Sequence, residues 1–323
     1  MDFLDHAVVA IPTKTDFRGI NVREVFLFRG PEGWSEFAPF IEYGDKESAT
    51  WLQAAIEGAY KPWPTLVRSN IAINATLPRI APEEVATFMQ NYPGCSTVKM
   101  KVNNFQDDAD RLEALLDFNP DAKVRLDVNG GWSLAEARTH IHDYFMRFGN
   151  VFEYIEQPCN EIDEIAELKR EIPIKIALDE SIRKFIGSSH EHISEVADVA
   201  IMKWAPSGGI ESARKIIQQI GLPTVISSAL DTGIGIGHGL ALAASLNQLD
   251  YACGLGTTAL FVEDIASPTP KPTNGISEVR RYEPNPELLE KYAASPERTE
   301  WWENRVSRIW DNELSDQVKG WVK

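Results

Sequence analysis

Short apolar, β-branched runs recur along the middle of the chain. They are IAINATL (71–77), TVKMKV (97–102), KVRLDV (123–128), VFEYIE (151–156), IKIALDE (174–180), VADVAIMKW (196–204), PTVISSA (223–229) and YACGLGT (251–257). Between them, stretches such as DDADRLEALLDF, SLAEARTHIHDYF, EIDEIAELKREI and GIESARKIIQQIG carry apolar residues at helical spacing. Strands alternating with helices of this length predict βαβ units and a parallel sheet. The residues that close the runs keep the same beat. From Lys101 the steps are 26 residues to Asp127, 29 to Glu156, 23 to Asp179, 24 to Lys203, 24 to Ser227 and 27 to Gly254. Eight units of this size close most naturally into a (β/α)8-type barrel. An open doubly wound sheet would place its glycine fingerprint after the first strand. Here NATLPRIAPEE stands there, and GIGIGHG comes only after the seventh run.

Residues 1–68 break the period. FRGINVREVFLFRGPEGWSEFAP (17–39) reads as two strands joined by GPEG, with Arg23, Phe26 and Phe28 along the first, and belongs to a small α+β cap. After the barrel, SPTPKPTNG is a proline-rich loop, followed by helical PELLEKYAAS and PERTEWWENRVSRIWDNEL, whose Trp301, Trp302 and Trp310 are expected to bury the tail against the cap. The division expected is 1–68 for the first part of the cap, 69–262 for the barrel and 263–323 for the returning tail.

Composition narrows the function. The 323 residues are 43% hydrophobic and 25% charged, an ordinary globular profile. A net charge of -16 argues against nucleic acid, which selects basic patches. MDFLDHAVVA lacks a basic leader, and GIGIGHGLALAASL is too short to span a bilayer, so no membrane partner is expected. Cys95, Cys159 and Cys253 lack metal-ligand spacing and read as reduced thiols of a cytoplasmic protein.

In a closed barrel the C-terminal strand ends face one mouth, where active sites sit. Asp127, Glu156 and Asp179 come from three successive runs. Three carboxylates meeting there would repel one another and raise each other's pKa, a conflict that a hard divalent ion such as Mg²⁺ removes. The bland alternative is three independent solvated strand ends. Lys99 and Lys101 share one face of their strand, and Lys203 closes the sixth run. Either these lysines pair with the carboxylates, the expected role of Lys99, or one of them is a base. A lysine beside a cation that holds a substrate carboxylate suits removal of a proton α to that carboxylate.

The motifs KMK (99–101), RLDVN (125–129), YIEQP (154–158), LDES (178–181) and IMKW (201–204) together resemble the enolase superfamily and its muconate-lactonising subgroup. Within it, Arg125 two residues before Asp127, SSALDTGIG (227–235), GLGT (254–257) and the compact N-terminal pattern are similar to the o-succinylbenzoate synthases. The resemblance implies a (β/α)7β-type TIM barrel with an α+β capping domain built from both termini. It implies Mg²⁺, with Mn²⁺ as a substitute, on Asp127, Glu156 and Asp179, and a small carboxylate substrate. Lys101 would be the acid/base of a dehydration, and Lys203 a cation on the opposite face of the ring. Lys99 would support Lys101, Asn129 and Glu180 would orient the metal ligands, Arg125 would be a further supporting residue, and Ser227, Ser228 and Gly254 would receive a succinyl tail. Two opposed lysines also suit an N-succinylamino acid racemase or another epimerase. From a different class, a non-catalytic barrel binding metal and a small acid has no need of two bases. Residues 16–21 and 44–51 are expected lid loops, His190 and His192 solvated, and His238 a packing residue. Oligomeric state is not legible without surfaces.

Overall fold

The computed structural model describes residues 5–17, 19–185, 193–318 and 320–322. His190, His192 and residue 18 of the expected lid lie outside them. Three antiparallel strands, β1 (Asp5–Phe17), β2 (Ile20–Gly30) and β3 (Gly33–Phe37), form the cap sheet, with GPEG as the turn between the last two. The helix Asp45–Tyr60 lies on it, burying Trp51, Leu52, Ala55, Ile56 and Ala59. The approach is close: a Cβ on Gly30 would stand 2.5 Å from the carbonyl oxygen of Ala59.

The tail returns to the same sheet. Ser295 caps the helix Pro296–Ile309 by accepting from the Arg298 N–H, and proline occupies its first turn. Trp302 is fully buried edge-on to Phe37, with centroids 5.7 Å apart, and its Nε1 donates to Glu24 Oε2 at 2.8 Å. Trp301 and Trp310 pack half-buried against the same core. Trp302→Ala should cost about 3–5 kcal/mol, since it opens a large cavity and strands the Glu24 carboxylate. A urea unfolding midpoint unchanged from the parent would disprove that role.

The barrel is built from β5 (Ala75–Leu77), β6 (Thr97–Lys101), β7 (Lys123–Asp127), β8 (Phe152–Glu156), β9 (Ile176–Leu178), β10 (Val199–Lys203) and β11 (Thr224–Ser227), paired in sequence order and all parallel. Two of the expected strands take a different form. The first run divides: β4 (Asn70–Ala72) pairs antiparallel with β12 (Ile276–Glu278), and only 75–77 joins the barrel. The eighth run is reduced to single parallel bridges, Ser227 to Gly254 and Cys253 to Ile73, which carry the curled sheet round to its first strand. The chains meet closely there, because a Cβ on Gly254 would stand 2.6 Å from Ser227 Oγ. Periodicity predicts a strand's presence, but this close approach, which limits pairing, is tertiary.

Inward positions form their own small cluster of Tyr154, Ala177, Val199, Ile201 and Val225, as alternation requires. Outside lie helices including Phe105–Phe118, Leu134–Phe148, Ile162–Glu171, Ile210–Ile220 and Gly233–Ser245. The last contains most of the long apolar tract and is buried along its whole length. No helix among the described residues is long and apolar enough to cross a membrane. All three cysteines are buried and free.

Candidate active site

Strand register brings the site together. Lys101, Asp127 and Glu156 are direct neighbours across β6, β7 and β8, and Lys99, Arg125 and Tyr154 occupy the level beneath. Asp179 follows β9, and Lys203 closes β10 beside Ser227. Lys99, Lys101, Asp127, Asn129, Asp179, Lys203 and Ser228 line one cavity of about 430 Å³, part of it open to solvent. Phe40, Tyr43 and Trp51 close it from the cap.

The charges are arranged in opposed pairs. Lys99 Nζ stands 3.0 Å from Asp127 Oδ2 and 2.9 Å from Glu156 Oε1. Burial works against its charge, but those two carboxylates hold its pKa well above the ordinary lysine value. Lys203 Nζ stands 2.5 Å from Asp179 Oδ2. Lys101 Nζ donates to Asn129 Oδ1 at 2.7 Å, and Asn129 Nδ2 donates to Glu180 Oε1 at 3.2 Å. Asn129 and Glu180 thus connect to Lys101. Asn129 adopts φ 52° at the turn after β7, a conformation asparagine tolerates.

Glu156 is fully buried, and burial, reinforced by Asp127 and Asp179 against the pull of Lys99, pushes its pKa up to about 7. Its Oε2 has no hydrogen-bond partner. Among the described residues no group of three or more histidine, cysteine or carboxylate side chains is placed to hold a metal ion as it stands. The ammonium groups of Lys99 and Lys203 supply the countercharge instead.

Other expected site residues lie apart from the cavity. Arg125 is buried below it, donating to Glu153 Oε2 at 2.6 Å, Asn74 Oδ1 at 2.9 Å and the Ala252 carbonyl at 2.8 Å, with its guanidinium over Tyr154. It therefore ties β8 to both chains at the closure. Ser227 and Gly254 face each other across that closure, and of the three expected tail contacts Ser228 lines the cavity. His238 accepts from Trp63 Nε1 at 3.1 Å, and burial drives its pKa down to about 3, so it is a neutral packing residue.

The chain matches two family models, Enolase N-terminal domain-like over residues 8–59 and Enolase C-terminal domain-like over 83–284. It is 43% identical over 303 residues to the o-succinylbenzoate synthase of Mycobacterium tuberculosis, covering 93% of this chain and 91% of that one. The chain belongs to the o-succinylbenzoate synthase family of the enolase superfamily. The synthase of Mycobacterium ulcerans is likewise 43% identical, over 94% of this chain and 93% of its own. The synthase family shares its fold with the muconate lactonizing enzymes. That of Pseudomonas putida superposes with a TM-score of 0.72 at 18% identity, over 90% of this chain and 98% of its own. The Pseudomonas fluorescens enzyme complexed with muconolactone gives 0.74 at 19%, with the same coverage.

A buried charge cluster stands behind the cavity, built of residues to which the sequence reading gave no role although they lie within the N-terminal pattern and SSALDTGIG. Arg23, Glu36 and Asp231 are all buried, and Glu36 accepts from the N–H groups of Thr232 and Gly235 at the start of the helix Gly233–Ser245. In the sequence, Arg23 also stands out as a charge in the alternation of Val25 and Leu27. Burial, then the Asp231 charge, pushes the Glu36 pKa up to about 8, against Thr232 and Arg23. A carboxyl raised in the folded state stabilises the fold below the ordinary carboxylate range and loses that contribution as pH rises through its folded value. The Mg²⁺-loaded protein should therefore lose melting temperature between about pH 5 and 9, and Glu36→Gln should lose less. Parallel curves for the two proteins would contradict this.

Proposed function

We propose that the chain dehydrates 2-succinyl-6-hydroxy-2,4-cyclohexadiene-1-carboxylate to 2-succinylbenzoate, the step that supplies menaquinone biosynthesis. The observation that carries the reading is the placement of Lys101 and Lys203 on opposite sides of one cavity, with the carboxylate strand ends between them, in a chain so similar to the synthases. The C1–H and C6–O bonds break, a C1–C6 double bond completes the aromatic ring, and proton and hydroxide leave as water.

Lys101 would take the C1 proton and return it to the departing hydroxyl on the same face, so one side chain serves both halves of the reaction. Its contact with Asn129, itself held by Glu180, would orient the amine. Lys203, from the far wall, would place a cation over the ring as it becomes aromatic. Asp127, Glu156 and Asp179 would hold Mg²⁺ or, in its place, Mn²⁺. The fit rests on an all-oxygen donor set and on Glu156 Oε2, a buried carboxylate oxygen without a hydrogen-bond partner. When bound, the ion would hold the substrate carboxylate and stabilise the charge that builds on it as C1 loses its proton. Lys99, between Asp127 and Glu156, would keep those ligands in place.

Purified protein with Mg²⁺ should rapidly abolish the ultraviolet absorbance of the diene, and EDTA should stop it. The same opposed lysines would serve 1,1-proton transfer. No loss of the diene, with solvent deuterium entering both enantiomers of an N-succinylamino acid, would replace dehydration with racemisation. Saturable binding of these acids without turnover of any would point to the non-catalytic barrel.

A further inference from the structure

Arg23 sits where the cap wall and the barrel wall of the cavity come together. Its Nε donates to the Leu230 carbonyl at 3.1 Å, and its Nη2 donates to the carbonyls of Ala229, at 3.3 Å, and Ala38. The guanidinium carbon stands 4.7 Å from the centroid of the Phe40 ring. Phe40 lines the cavity from the cap, Ser228 and Ala229 from the barrel. A single planar side chain therefore touches both walls, using donors in a fixed fork and a flat face at once.

The barrel segment it grips is tightly determined. Leu230 adopts φ 63°, a left-handed conformation that a leucine holds only when its surroundings impose it. Asp231 accepts from the Ala229 N–H at 3.3 Å, while its own N–H donates to Ser228 Oγ at 2.9 Å. Ser228 Oγ also accepts from the Thr257 hydroxyl at 2.7 Å and hydrogen-bonds the Asp231 carboxylate, which fixes the side chain in the cavity wall. The Ala229 and Leu230 carbonyls are thus spent on Arg23 and the Ala229 N–H on Asp231, so this wall of the cavity is held from both sides.

Holding cap to barrel does not by itself call for Arg23. Glu57 of the cap helix already accepts from the Ile210 and Glu211 N–H groups at 2.6 and 3.1 Å, and Glu36 caps the next barrel helix. Arg23 differs in that its partners are cavity-lining residues or lie within two residues of one. We propose that Arg23 is a positioning residue that fixes the width of the cavity, holding Phe40 and the Ser228–Ala229 wall at one spacing and so setting the size of ring substituent the site accepts. The substituent clause rests on the function proposed above; the clamp does not.

Arg23→Lys keeps the charge and loses the fork, and it tests both clauses. In the ligand-free full chain, amides of 38–43 and 228–232 should exchange with deuterium about tenfold faster together, while those of 296–309 stay unchanged. In the Mg²⁺-loaded protein, KM for the diene acid should rise about tenfold with kcat within about threefold. Affinity for 2-succinylbenzoate should fall in step, and affinity for benzoate, which lacks the tail, should hold. If the lysine variant does not fold, Arg23→Met with Asp231→Asn removes one charge of each sign and should give the same pattern. Unchanged exchange in the two segments, or faster exchange spread over the whole chain, would overturn the clamp. Equal losses for succinylbenzoate and benzoate would overturn its role in specificity. Coupled loosening in a protein whose parent leaves the diene untouched would uphold the clamp and sink the dehydration reading.

Discussion

Lys101→Ala should lower turnover of the cyclohexadiene carboxylate by at least about 10³-fold while leaving the fold intact. General acid–base groups contribute about 10²–10⁴-fold in typical enzymes, and here one amine would act twice, first as base and then as acid. Lys101 is half-buried at the end of β6, and it and its partner Asn129 both line the cavity. Truncation therefore opens no sealed cavity and should move the melting temperature little. Mg²⁺ affinity should also hold, because the three carboxylates come from other strands. Calorimetric Mg²⁺ titration beside the rate separates the two roles. A variant that binds Mg²⁺ normally and has lost turnover supports the assignment; one that keeps near-parental turnover removes Lys101 from the chemistry. Lys203→Ala should lose less, since it would stabilise charge and move no proton. Its loss also frees Asp179 from a 2.5 Å ion pair, so its Mg²⁺ affinity should rise, not fall.

Much of this arrangement was legible in the sequence for a simple reason. In a parallel barrel the last residue of each strand points to the same mouth, so a spacing of about 25 residues converts directly into proximity. That is how Lys101, Asp127 and Glu156 come to be direct neighbours across three strands. What the pattern could not supply was contact made between distant segments. Arg125 looks like a site residue from its place before Asp127, yet its partners are Glu153, Asn74 and Ala252, which no local spacing joins to it. Asp231 lies beyond the end of β11 and acts on the backbone of its own turn, beside Arg23 from more than 200 residues away. Of the cavity's cap wall, Trp51 falls in the expected lid 44–51, which from Asp45 on is helix and not loop, whereas Phe40 and Tyr43 carried no signal. Strand ends are written locally, whereas the walls that shape a cavity are written in pairs.

Glu156→Gln should remove Mg²⁺-dependent stabilisation, and here the metal-free protein is as informative as the loaded one. Without an ion, Glu156 is a buried carboxyl whose pKa is pushed up to about 7 by burial and by Asp127 and Asp179, against Lys99. Raised in the folded state, it stabilises the fold below the ordinary carboxylate range and loses that contribution as pH rises through about 7. At pH 8 the metal-free parent therefore carries a buried charge that glutamine lacks, and the variant should melt at an equal or higher temperature. Saturating Mg²⁺ should invert the order. At a hundred times Kd the ion adds about 2.7 kcal/mol to the parent, while the glutamine, which offers an amide where the parent has a carboxylate oxygen, should gain little. Turnover should fall with the Mg²⁺ shift, because the substrate carboxylate would lose its anchor. An equal Mg²⁺-induced shift in both proteins would return Glu156 to a buried partner of Lys99 and leave the ion to be held by other groups.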